Sequence, residues 1–192
     1  MKSIFPHVLV VCFRSATLFA LLIGINALSA KQVIAHPSAE NTREYQAQLK
    51  HNKDTARRVY TEGLSQGIFT VPYTDDFVGR GGGSSTFSHE DGIKEAKGWR
   101  QAFPDLNVTV DMIIAEDDLV SVRWTATGTN TGAGNGIPAT GKRVRTSGTT
   151  VFRFANGAIA EEWTAGDALG LMKQLGLLPS PASSTPSTTA SK

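Results

Sequence analysis

Apolar side chains along this chain recur first at helical spacing and then, beyond Asp105, at every second position. Between Glu40 and Gln66 the residues Tyr45, Leu49, Ala56, Val59, Tyr60 and Leu64 fall mostly three, four or seven apart, and Gly67 follows as a stop. That spacing predicts one long amphipathic helix, with Asn52 as the place for a break. Val71-Pro72-Tyr73 and Asp75-Asp76-Phe77-Val78 read as short pieces leading into Gly79–Ser85, whose glycines forbid regular structure and predict a flexible loop. Ser88 with Asp91 three residues on forms a capping-box pattern. Ile93, Ala96, Arg100 and Phe103 then share a helical face until Pro104.

The switch to period two predicts strands. Val108, Val110 and Met112 alternate, Glu116-Asp117-Asp118 turns the chain, and Val120, Val122, Trp124 and Ala126 alternate again. A polar loop runs from Gly128 to Gly141, a long strand from Val144 to Phe154, and Asn156-Gly157 is a strong hairpin signal because both residues tolerate positive φ. Ile159–Trp163 completes a four-stranded antiparallel meander, and Asp167–Leu175 is a closing helix capped by Gly176. Helices segregated from strands imply an α+β domain without parallel pairing, in which a curved sheet closed by helices encloses an apolar hollow suited to a small molecule.

Charge and composition narrow the partners. Removing Lys2 and Arg14 leaves 17 basic against 17 acidic side chains from Lys31 onward. A domain with no basic surplus argues against nucleic acid and anionic membrane. The uncharged run of sixteen residues from Ser15 to Ala30, behind Lys2 and Arg14, resembles a secretory signal with cleavage after Ala30 or Ala35. It is short of the about twenty residues a spanning helix needs, so an amino-terminal anchor is the weaker reading. The expected division is therefore an address over 1–35, a domain over 36–179, and a disordered Ser/Thr/Pro tail over 180–192, in a secreted or periplasmic protein. The sole cysteine, Cys12, lies in the address, so the mature domain has no disulfide or thiolate metal site.

Several motifs are tested and set aside. Gly136–Lys142 has the spacing of a phosphate-binding loop, but Arg143 replaces the magnesium-binding hydroxyl, and a strand follows where a helix is required. His36, His51 and His89 lack metal-ligand spacing, so no zinc is expected. No nucleophile elbow supports a hydrolytic triad. Asn107-Val108-Thr109 is a glycosylation sequon. What remains is Glu161-Glu162-Trp163-Thr164-Ala165-Gly166-Asp167. Alternation puts Glu162 on the face opposite Glu161 and Trp163, so one of the paired acids faces inward. Asp167 has two readings at this point: an acid in apolar surroundings able to shuttle a proton, or the cap of the final helix.

Taken in order, Ala102-Phe103-Pro104-Asp105-Leu106, Ala115-Glu116-Asp117-Asp118, Gly128–Gly132, Gly136–Lys142, Asn156–Trp163 and Asp167 with Gln174-Leu175-Gly176 resemble the SnoaL-like polyketide cyclases. These are also called ester cyclases and belong to the nuclear transport factor 2-like superfamily. The resemblance runs from about Asp54 to Leu178. It implies a cone-shaped α+β barrel of curved antiparallel sheet against amino-terminal helices, a hydrophobic cavity, and assembly into a homo-oligomer (dimer or tetramer). It also implies cofactor-free and metal-free ring closure by intramolecular aldol condensation, with Asp167 as general acid/base. Where the family frequently carries histidines this chain has Arg80 and Asn130. Both are candidates to hydrogen-bond an enolate oxygen. Phe103, Met112, Trp124, Phe152, Trp163 and Met172 are the expected cavity lining for a small hydrophobic carbonyl compound. Two other functions share the fold: a non-catalytic binder of a lipid or metabolite, and a dimerising module whose cavity is filled by its own side chains. An epoxide hydrolase of the superfamily is disfavoured, because Arg123 is followed by Trp124 and Thr125 rather than by an Arg-x-Asp pattern.

Overall fold

The computed structural model describes residues 39–81 and 85–178. The amino-terminal address, the centre of the glycine-rich run at 82–84 and the carboxy-terminal tail lie outside the described residues. Helix α1 spans Ala39–Arg58 and buries Leu49, Asn52, Thr55 and Ala56 along one stripe, so Asn52 belongs to the packed face and the helix runs through it unbroken. The departure from α geometry comes later, at Val59–Leu64, where the chain winds as a π-helical turn. Such turns widen the helix locally and often border functional sites.

Strand β1 (Tyr73–Arg80) and the short β2 (Thr86–Phe87) follow. Helix α2 (His89–Ala102) opens on the expected capping box, in which Ser88 Oγ accepts from Asp91 N at 3.2 Å and Asp91 Oδ2 accepts from Ser88 N at 3.1 Å. The meander is β3 (Asn107–Glu116), β4 (Leu119–Thr129), β5 (Arg143–Ala155) and β6 (Ala158–Gly166), and α3 spans Ala168–Leu175. Asn156 and Gly157 both take positive φ, at 51° and 80°, as a tight hairpin between β5 and β6 demands. Gly176 ends α3 at φ 72°.

Among the described residues six strands form one curved sheet in the order β2-β1-β6-β5-β4-β3, and with the helices α1, α2 and α3 they make an α+β fold. The sheet is not wholly antiparallel, contrary to what the segregation of helices from strands implied. Strand β1 pairs with β6 in parallel, Val78 opposite Glu161 and Arg80 opposite Trp163. The signal was hidden because Asp75 and Asp76 interrupt the alternation, leaving only Phe77 and Gly79 buried in this strand, and because its partner lies some eighty residues away in sequence. Register shifts between Val110 and Met112, between Arg153 and Phe154, and between Tyr73 and Val78 mark bulges, which bend and coil the sheet.

Inward-facing residues of the sheet, Val108, Val120, Val122, Phe152, Phe154 and Ile159, pack with Ala56 and Tyr60 of the first helical segment. A second cluster joins Ala102 and Phe103 to Val144, Leu171 and Leu175. Asn130, fully buried, pins the loop that links β4 to β5. Its amide donates to Ala102 O at 3.0 Å and Gly132 O at 2.9 Å, and its Oδ1 accepts from Thr140 N and Oγ1, both at 2.9 Å.

Candidate functional site

Leu106 packs against both core clusters, and members of both wall a cavity of about 560 Å³. That is ample for a small organic molecule, in the range of ligand sites generally. Its walls are largely aromatic and aliphatic: the π-helical turn contributes Tyr60 and Leu64, β1 Tyr73, α2 Trp99, β4 Trp124, and α3 Met172. The cavity is not filled by its own side chains. Among the described residues no lysine or arginine lines it, whereas three carboxyl groups do: Glu95, Glu162 and Asp167.

Glu162 owes its position to the pleat of β6. It pairs with Phe152 across β5 and points inward with it, while Glu161 and Trp163 point outward. Protein surrounds Glu162 on nearly all sides, and it borders the cavity. Burial pushes its carboxyl above the usual carboxylate range, with a further push from the negative charge of Glu95 and an opposing pull from the Thr164 hydroxyl. A polar chain leads to it through the sheet. Trp124 Nε1 donates to Thr150 Oγ1 at 3.1 Å, Thr150 and Thr164 share a hydrogen bond of 2.9 Å, and Thr164 Oγ1 donates to Glu162 Oε1 at 2.7 Å. Register makes this possible, because Thr150 and Thr164 are directly opposite on neighbouring strands and Gly148 faces Trp124. A Cβ on Gly148 would lie 2.3 Å from the indole, so only glycine leaves the ring its place.

Of the two readings the sequence offered for Asp167, the structure shows the cap. Its Oδ1 accepts from Gly170 N at 2.8 Å, capping α3, and the exposed side chain stands at the border of the cavity. Gly170 has a reason to be glycine inside a helix, where it costs about 1 kcal/mol relative to alanine. A Cβ there would sit 2.0 Å from Asp167 Oδ2. His89 also lines the cavity, its ring stacked on Tyr73 with centroids 4.0 Å apart, and burial holds its imidazole below the ordinary histidine pKa. Burial also pushes the Tyr60 and Tyr73 hydroxyls upward, so both stay protonated. No group of His, Cys, Asp and Glu suited to a metal ion occurs among the described residues.

Of the residues singled out from sequence, Phe103, Trp124, Met172 and Asp167 come together around the cavity. Arg80 and Trp163 do not. They lie on the outer face of the sheet beside a shallow depression, the guanidinium 5.3 Å from the indole centroid and Nη1 2.5 Å from Glu161 Oε2. Met112 is 56% exposed, because the bulge after Val110 turns Met112 outward and brings Ile113 in. Phe152 is sealed in the core rather than at the cavity wall, and Asn130 has every amide donor and acceptor engaged within its loop. Glu162, Thr164, Tyr73 and His89 enter the site without having been singled out as site residues. For Glu162 the signal was available, since alternation along β6 separates it from Glu161.

The sequence profile of the family described as SnoaL-like polyketide cyclase matches residues 55–175. Among solved structures, a candidate hydroxylase, AclR of Streptomyces galilaeus, is similar with 28% identity and a TM-score of 0.61, over 70% of this chain and 91% of that one. A candidate SnoaL-like polyketide cyclase of Jannaschia sp. CCS1 is similar with 26% identity and a TM-score of 0.61, over 68% and 94%. A candidate polyketide cyclase, IdmH of Streptomyces antibioticus, follows with 27% identity and a TM-score of 0.55, over 65% and 98%. No curated protein matches the chain.

Proposed function

The chain belongs to the SnoaL-like polyketide cyclase family, and from that premise we propose that its cavity binds a small hydrophobic carbonyl compound and that Asp167 moves the proton in a cyclase- or isomerase-type reaction. The observation that carries the reading is a large apolar cavity bordered by a carboxyl group whose glycine neighbour makes room for it. In the cyclase form, Asp167 takes a proton from carbon beside a carbonyl, the resulting enolate carbon attacks a second carbonyl of the same molecule, and the protonated Asp167 returns its proton to the new alkoxide. Atoms and charge then balance between the guest and Asp167, so the step calls for no cofactor. An acid/base group of this kind contributes a factor of about 10² to 10⁴, and a pocket that folds the guest supplies orientation in addition.

Replacing Asp167 by Asn tests this. We expect turnover to fall by about 10² or more while affinity for the guest is kept. Unchanged turnover removes Asp167 from the mechanism. The second reading, a non-catalytic binder with the same cavity, is favoured by the capping bond that occupies one Asp167 oxygen, and absence of turnover in the parent protein together with tight guest binding would select it. We also propose that segment 1–35 is a cleaved secretory address, which mass spectrometry of the mature amino terminus, at Lys31 or His36, checks. The homo-oligomer is proposed to form through the outer sheet face, where Met112 and Ile114 are 56% and 60% exposed.

A further inference from the structure

We propose that Glu162 is the hydrogen-bond donor for the carbonyl oxygen of the guest, and that the Trp124–Thr150–Thr164 chain is the device that aims it. The inference rests on the reading above that the cavity takes a carbonyl compound, and it names the group that recognises it. An indole N–H only donates, so Thr150 accepts from Trp124. With Thr164 donating to Glu162 Oε1, the chain is completed by Thr150 donating to Thr164, and the Tyr60 hydroxyl meets the same Thr150 hydroxyl. In that arrangement Oε1 is an acceptor. The acid proton belongs on Oε2, which has no hydrogen-bond partner among the described residues, on a side chain that borders the cavity.

The surroundings keep that proton in place. Glu162 faces Tyr60 from the π-helical turn, Tyr73 from β1 and Glu95 from α2, and it shares the cavity with His89 and Asp167. None of the carboxyls and phenols among them offers it a positive charge, and burial lowers the His89 imidazole below its ordinary pKa, disfavouring its cationic form. A neutral carboxylic acid in an apolar wall presents an O–H to an acceptor. The guest atom it fits is a carbonyl oxygen, and the bond strengthens as that oxygen gains charge in an enolate. Asp167 at the border and Glu162 in the depth are then two carboxyl groups with opposite tasks, one taking a proton from carbon and the other steadying oxygen.

The test uses two neutral probes of nearly equal shape, 2-acetonaphthone and 2-ethylnaphthalene, which differ by a carbonyl. Their affinities for the full chain are measured by calorimetry from pH 5 to 9. The parent protein is expected to prefer the ketone by about tenfold at the acidic end, the worth of one hydrogen bond, with the preference shrinking as pH rises and Glu162 ionises. Glu162→Met is expected to abolish the preference at every pH. Glu162→Gln, whose amide oxygen accepts from Thr164 and whose N–H₂ faces the guest, is expected to retain it without the pH dependence. Thr164→Val removes the aim and is expected to weaken the preference while 2-ethylnaphthalene binds as before. Equal affinity of the parent for both probes overturns this inference and leaves the cavity reading intact. Failure of both probes to bind overturns the two together. Should Glu162→Met not fold, the Gln variant decides: a preference that still falls with pH in Glu162→Gln assigns the effect to another group and overturns the inference.

Discussion

Glu161 and Glu162 are neighbours of the same residue type on the same strand, yet the fold gives them contrary chemistry. Glu161 points outward, where Arg153 Nε at 2.8 Å and Arg80 Nη1 at 2.5 Å hydrogen-bond it and hold its carboxyl below the usual range. Glu162 points inward, where burial holds its carboxyl above that range. One residue of register separates them. The period-two backbone sorts the two acids into an ion-pair network in water and a neutral group at an apolar wall. The whole sheet repeats the contrast: cross-strand neighbours Val122, Thr150 and Thr164 face in, and Ile114, Ser121, Val151 and Trp163 face out.

The comparison breaks most sharply at adjacent positions of β5. Phe152→Ala is expected to cost about 4 kcal/mol, because it opens a cavity in a fully buried cluster. Val151→Ala on the outer face is expected to cost about 1 kcal/mol or less. Urea unfolding of the two variants checks the pair, and similar losses would contradict the assignment of faces.

The two acids predict opposite pH signatures. For Glu161 the folded pKa is lowered from 4.5, so the unfolded chain binds more protons in that window and the stabilisation is present above 4.5 and lost as pH falls through the lowered value. Glu161→Gln is therefore expected to be less stable than the parent near neutrality, with the difference vanishing in acid. For Glu162 the folded pKa is raised from 4.5, so the folded chain binds more protons and stability declines as pH rises from 4.5 through the raised value. Glu162→Gln is expected to gain on the parent over that interval. Unfolding midpoints across pH 3 to 8 distinguish the two slopes.

The smallest effect on stability belongs to the outer face. Met112→Glu is expected to change the unfolding free energy by about 0.5 kcal/mol or less, while light scattering reports dissociation of the proposed homo-oligomer.

Much of the fold was legible because its signals are local. The Ser88 capping box, the Asn156-Gly157 turn, the Gly176 stop and the four strands of the meander each arise within a few residues of sequence. What escaped depends on distant partners or on irregular backbone. The parallel pairing of β1 is set by β6, far along the chain. The outward turn of Met112 follows from a bulge that no residue pattern announces. Asn130 read as a free donor until the loop closed around its amide. At the site, the inward face of Glu162 was readable from alternation, but the chain of hydroxyls behind it exists only because three strands meet in one register. Asp167 was legible as the cap of the final helix, whereas its exposed place at the cavity border depends on how α3 meets the sheet.

A pocket bordered by three carboxyls and, among the described residues, no cation also dictates what leaves it. An uncharged guest is welcome there, but a product carrying a free acid anion would find no counter-ion among the described lining residues, and repulsion from any lining carboxyl that is ionised. Chemistry that kept its molecule neutral could run to completion inside, whereas chemistry that generated an anion would eject its own product.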